Sequence, residues 1–164
     1  LPLYATEFCL GVLKNMFGWA FEDDNTNSGY VRPAPHPITS EFRIGDITIR
    51  PLPVIHGSVE TIGLLFETAG NFRFAYLPDV KTIPESTMAM MDNLDLLIID
   101  ALRDSPHSTH LSLAEALAIS ESLSPQKTLL THISHDLDHV SLAGRLPGSV
   151  SPAYDGLQVD LVQG

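Results

Sequence analysis

Apolar positions in this 164-residue chain fall into short blocks bounded by glycine, proline and polar turn formers. Leu1 to Tyr4 reads as a strand, and Thr6 is suited to cap a helix to about Phe17 with Phe8, Val12, Leu13 and Met16 on its apolar face. Residues 22–35 are polar and proline-bearing, so a loop is expected there. Strand-like segments follow at 41–44, 47–54, 62–67 and 72–77, with Gly45-Asp46 and Gly70-Asn71 as hairpin turns. Pro84 fits the first turn of a helix to about Met91, in which Met88, Met90 and Met91 are core and gap filler. Residues 94–99 read as a buried strand. Ser112 and Glu115 form a capping box that opens a helix to about Leu123, with Leu113, Ala116, Leu117 and Ser120 on one stripe. A strand at 127–131, a short helix at 141–146 and a last strand at 157–162 complete the pattern. A β-rich first part followed by β–α–β–α–β predicts an α/β (α+β) fold, a mixed sheet with helices packed on it.

Composition narrows the class. Apolar residues make up 44% of the chain, and no apolar run approaches the length needed to cross a bilayer. The chain is read as one domain over residues 1–164. A net charge of −11 argues against a nucleic-acid partner, whose backbone calls for a Lys/Arg surface. It does not exclude a phosphate substrate, because a bound cation reverses the local field. The single Cys9 rules out an intrachain disulfide and suggests a reducing, cytoplasmic setting. The chain begins at Leu1 without methionine, which predicts a fragment or a processed product.

The polar residues that matter sit just after expected strands. His56 follows Val54-Ile55, Asp79 follows Leu77-Pro78, Asp100 follows Ile98-Ile99, and His132 follows Leu130-Thr131 within the run Thr131-His-Ile-Ser-His-Asp-Leu137. Polar groups set beside a core must find partners, and ligands gathered at one end of neighbouring strands are one solution. A His/Asp/His set suits zinc, manganese or iron. Taken singly, each residue has a plainer reading: a satisfied strand-end histidine for His56, a turn or cap for Asp79, a loop anchor for Asp100.

Five segments in order carry a resemblance: Pro53-Val-Ile-His-Gly57, Phe74-Ala-Tyr-Leu-Pro-Asp79, Leu97-Ile-Ile-Asp-Ala-Leu-Arg103, His107-Ser-Thr-His-Leu-Ser-Leu113 and Leu130-Thr-His-Ile-Ser-His-Asp136. Together they resemble the metallo-β-lactamase superfamily, in its phosphodiesterase branch, and Ala153-Tyr-Asp-Gly-Leu157 suits the same branch. The resemblance implies a partial αββα sandwich. It implies His56 as ligand of one metal, Asp79 as a carboxylate bridging two, and His132 as ligand of the second. His110 takes the place of the histidine that contacts the scissile phosphate, as general acid to the leaving oxygen, and His135 that of a further phosphate-contacting histidine. Asp100 and Asp136 are expected to orient imidazoles through ring N–H bonds.

One departure is large: the superfamily's His-x-His-x-Asp-His cluster does not occur in this sequence. It is expected upstream of Leu1, so the chain is read as N-terminally incomplete. The implied function is a phosphodiesterase of small cyclic or nucleotide-like phosphodiesters, using two divalent cations (Zn²⁺ or Mn²⁺) in the complete protein. This chain alone is expected to be weakly active or inactive. The implied partners are a small-molecule substrate and either a second copy or the missing N-terminal part, with no membrane. The alternatives are a thioester or lactone hydrolase of the same fold, and a metal-free interaction or structural remnant.

Overall fold

The strand β1 (Pro2–Ala5) ends at Thr6, whose hydroxyl accepts from the Cys9 N–H at 3.2 Å and so caps α1 (Glu7–Met16). Glu7 in the first turn and Lys14 in the last complement the helix dipole. The computed structural model describes residues 1–22 and 29–161. Part of the loop expected at 22–35 therefore lies outside the described residues. Its far end departs from expectation, because α2 (Gly18–Phe21) is followed by a strand, β2 (Ala34–Pro37), paired in parallel with β1. Prolines at 33, 35 and 37 hide this strand from a pattern reading, yet an edge strand tolerates them. Tyr4 stacks on both His36 and Phe42 at 4.8 Å. Residues Leu1–Phe42 form one unit of the chain and Arg43–Gly164 another.

The second unit is built on a seven-stranded mixed sheet, which is the fold class expected. Its strands are β3 (Phe42–Ile44), β4 (Ile47–His56), β5 (Val59–Glu67), β6 (Arg73–Leu77), β7 (Leu96–Asp100), β8 (Lys127–Thr131) and β9 (Val150–Pro152), lying side by side in chain order. Three helices interleave them: α3 (Glu85–Met88), α4 (Leu113–Leu123) and α5 (His139–Ala143). The Ser112/Glu115 capping box forms as expected. Helix α3 stops at Met88, short of Met91. Helix α5 starts at His139 rather than Ser141 because Asp138 takes the cap, accepting from the Ser141 N–H at 2.9 Å. The last strand is β9, not 157–162. Residues 157–161 form no strand, and Val162 lies outside the described residues. Leu157 and Val159 pack instead against a cluster of Phe72, Leu96 and Leu129.

Strand direction positions the site. Strand β5 is antiparallel to both β4 and β6, and β6, β7, β8 and β9 are mutually parallel. The C-terminal ends of β4, β6, β7, β8 and β9 therefore share one edge of the sheet. Alternation sets the faces. Leu52, Leu65, Ala75, Leu77, Leu97, Ile99 and Leu130 are buried together with Leu113 and Ala116 of α4 and Leu142 of α5. Ser120 on α4 and Thr128 on β8 satisfy each other there at 2.7 Å. Opposite-parity residues make the other face, where Phe66 and Phe74 stack at 4.4 Å. Among the described residues no helix is long and apolar enough to cross a membrane.

Candidate metal centre

Four strands end in a polar residue at the shared edge: His56 closes β4, Asp79 lies two residues past β6, Asp100 closes β7 and His132 follows β8. The loop from β7 to α4 returns over the same edge and adds His107, Thr109 and His110. It is held down by mutual hydrogen bonds, from the Leu102 N–H to the Leu111 carbonyl at 3.0 Å and from the Leu113 N–H to the Arg103 carbonyl at 2.9 Å. The loop after β6 is tied to β4 in the same manner, with the Ile55 N–H bonded to the Thr82 carbonyl at 2.9 Å and the Lys81 N–H to the Ile55 carbonyl at 2.8 Å. Rigid backbone thus brings residues far apart in sequence to one place.

His56, Asp79 and His110 offer donor atoms that all lie within 4.8 Å of one another. His56 Nδ1 sits 2.8 Å from the Thr109 carbonyl, which can only accept, so Nδ1 carries the proton and the lone pair is on Nε2. His110 Nδ1 lies 2.7 Å from Asp100 Oδ2, an arrangement that fixes the ring and leaves Nε2 open. The His110 ring stands edge-on to His56 at 4.6 Å and stacks on His132 at 4.6 Å, with His107 at 5.2 Å. His132 Nε2 is 3.8 Å from Asp79 Oδ1. Asp79 therefore faces the His56/His110 pair and His132 alike. A positive φ of 56° at His132, uncommon for a residue bearing a Cβ, marks backbone strain of the kind that collects at functional sites.

Asp100 is fully buried. Burial pushes its carboxyl above the ordinary range, opposed by the hydrogen bonds from His110 and from the Val80 N–H at 3.2 Å. Its second oxygen, Oδ1, is buried without a hydrogen-bonding partner. A carboxylate kept in so costly a place, against an imidazole, is the expected orienting partner of His110. His107 accepts from the Thr109 N–H at 3.3 Å; desolvation first, and then the nearby Arg103 guanidinium, lower its basicity.

Two sequence-derived candidates lie apart from this cluster. His135 is 97% exposed, with Asp136 at 3.7 Å as its neighbour among the described residues. Asp136 bonds with Ser134 in a local turn, so it orients no buried imidazole. His110, expected to face the phosphate, is drawn in among the donors of the candidate metal site. Thr109 was not foreseen; its proximity to His107 and His110 in one short loop was the available signal.

The donor set fits a divalent cation: imidazoles of which two are held at Nδ1 by an acceptor, a half-exposed carboxylate beside them, and a buried carboxylate behind one ring. A family model described as the β-lactamase superfamily domain matches residues 1–133. Among solved structures, a diphosphatase from the PhnP family is 37% identical to the chain. The match covers 96% of this chain and 56% of that one, with a TM-score of 0.84. The metallo-β-lactamase fold protein YhfI from Bacillus subtilis is 22% identical over 96% of this chain and 64% of that one, TM-score 0.72. The short form of human tRNase Z is 12% identical over 99% and 68%, TM-score 0.68, a likeness of fold alone. The chain thus spans little more than half the length of the diphosphatase. No curated protein matches it by sequence.

Proposed function

The chain belongs to the metallo-β-lactamase superfamily, and from that premise we propose that its activity is metal-dependent hydrolysis of small cyclic or nucleotide-like phosphodiesters. The observation that carries the reading is the convergence of His56, Asp79 and His110, with His132 beside them, at one sheet edge. His56, Asp79 and His132 would hold the cation or cations, Asp79 shared between the two histidines. The chemistry such a cation supplies is Lewis-acid polarisation of a phosphoryl oxygen and activation of water near neutral pH. It also supplies the positive charge that a chain of net charge −11 needs in order to attract a phosphate.

The protein's own groups divide the remaining work. Thr109 holds His56 in the tautomer that leaves Nε2 open. Asp100 holds His110 so that Nε2 can carry a proton to a leaving oxygen, and the buried carboxylate stabilises the ring when it is charged. His110 stands edge-on to His56 and stacked on His132, so the three rings pack together along one side of the site. The diphosphatase relative favours a phosphorus substrate over a thioester or lactone.

Calorimetric titration of Zn²⁺ or Mn²⁺ into the purified chain tests the ligand set, and turnover of bis(p-nitrophenyl) phosphate by a protein extended to the length of the diphosphatase relative tests the chemistry. Asp79→Asn and His56→Ala are expected to lose cation binding, and His110→Asn, which removes the third donor of the group, to weaken it about tenfold or more and to lose turnover. Absence of saturable cation binding by the wild-type chain, or turnover of thioesters or lactones with none of phosphodiesters, overturns the reading.

A further inference from the structure

Beside His132, at the same sheet edge, lies a cleft of about 340 Å³ lined by Thr131, His132, Ile133, Ala153, Tyr154 and Asp155. That volume is within the range of small-molecule sites. The geometry points to this cleft as the subsite for the organic part of the substrate, a nucleoside, with Tyr154 as stacking platform for the base and Asp155 as acceptor for ribose hydroxyls.

The assignment rests on how the cleft is built. Strand β9 runs parallel to β8, and the Ala153 N–H extends their pairing by bonding the Leu130 carbonyl at 2.8 Å. The chain leaving β9 must therefore emerge where His132 does. It then turns at once: the Leu157 N–H bonds the Tyr154 carbonyl at 3.0 Å, and Gly156 at φ 87° takes the position of a type II turn that favours glycine. Leu157 is packed against Phe72, Leu96 and Leu129, so the turn is anchored at its far end. Tyr154 is nevertheless 59% exposed, an aromatic face left open on a fixed turn, with the edge of His139 at 6.1 Å on one side. A large exposed ring beside a polar cluster is what a stacking subsite requires.

Charge sorts the two halves of the ligand. Asp155 is exposed and its carboxylate repels a phosphate, so the anionic end belongs with the imidazoles and the cation they hold. A carboxylate accepts well from a neutral diol, which places the sugar between the phosphate and the base. Tyr154 and Asp155 share the cleft with His132 but lie outside the group His56, Asp79 and His110, so they act on the choice of substrate rather than on the chemical step.

This inference depends on the phosphodiesterase reading for its meaning, but its test does not use turnover. Ligand-observed saturation-transfer NMR with adenosine, and separately with ribose, reads the cleft directly. Adenosine is expected to bind and ribose to bind far more weakly. Tyr154→Ala should weaken adenosine about tenfold or more, the scale of one lost base stack, while Tyr154→Phe keeps it. Asp155→Asn should weaken adenosine and leave an adenine-only probe unchanged. Absence of adenosine binding, equal binding of ribose, or indifference to Tyr154→Ala overturns the subsite. Adenosine binding by a chain that shows no saturable cation binding would instead sink the proposed activity and leave the cleft standing, whereas cation binding without adenosine binding does the reverse.

Discussion

Asp100 gives the sharpest perturbation of the candidate centre, because two substitutions there separate hydrogen bonding from charge. Its side chain is fully buried, and one oxygen receives both His110 Nδ1 at 2.7 Å and the Val80 N–H at 3.2 Å. Asp100→Ala removes the acceptor and strands two donors, each at a cost of about 1–3 kcal/mol when buried. A loss of about 3 kcal/mol is expected, or about 6–12 °C in melting temperature for a chain of this size. Asp100→Asn keeps an acceptor oxygen in nearly the same place. It gives up the charge assistance, worth about 1 kcal/mol beyond a neutral bond, but it also ends the burial of an ion whose carboxyl is already pushed up by desolvation. These effects offset, so the Asn variant should lie within about 1 kcal/mol of wild type. Cation affinity should respond differently: an orienting carboxylate behind a site histidine typically contributes about 10–100-fold, and both variants lose its charge. Thermal and urea unfolding give the first quantity, and zinc titration the second. If Asn proves as destabilising as Ala, or if the Asn variant binds zinc like wild type, the carboxylate–imidazole account is wrong.

Other outcomes follow from single residues. Glu115 accepts from Lys81 Nζ at 2.7 Å and from Ser112, and this holds its carboxyl down at about 2, well below the ordinary range of a glutamate. Its contribution is therefore fully present above pH 4.5 and fades as the pH falls toward 2. Because the side chain is 40% exposed, solvent screening keeps the ion-pair part within about 1 kcal/mol, and urea midpoints of Glu115→Gln and wild type should converge at low pH. Gly57 has φ 62°, and a Cβ there would meet Thr109 Cγ2 at 2.8 Å. Gly57→Ala should cost about 1–3 kcal/mol by strain and crowding and, by shifting the carbonyl that holds His56, weaken zinc binding measured by calorimetry. Leu130 is fully buried between β7 and β9, and Leu130→Ala should cost about 2–5 kcal/mol in urea unfolding without altering the tautomer of His56 seen by NMR.

The sheet was legible wherever local chemistry and tertiary role agree. The Ser112/Glu115 box, the Thr6 cap and the β8 segment each carry their own signal, and each formed at the expected residues. Where burial overrides local preference the reading slipped. Strand β9 is three residues long and ends in proline, and only its pairing with Thr128, Leu129 and Leu130 makes it a strand. Leu157 to Leu161 has the composition of a strand, but its apolar residues fill a side cluster, and no strand forms over those residues. Strand β2 was missed for the converse reason, since its prolines argue against a ladder that one parallel neighbour is enough to supply.

For the site, the sequence yields the residue types and the strand ends but not the distances. That His56 and Asp79 share an edge follows once β5 is seen to reverse the chain twice, which hairpin turns at 57–58 and 69–70 impose. The position of His110 does not follow, because it depends on a ten-residue excursion beyond β7 that folds back through Leu102–Leu111 and Arg103–Leu113 hydrogen bonds. That excursion also explains why Asp100 and His110 meet: the carboxylate closes the strand and the imidazole returns over it on the loop that follows. A site assembled in this way is only as rigid as that loop. Its anchors, the paired backbone bonds and the Thr109 carbonyl on His56, are therefore as much part of the centre as the imidazoles themselves.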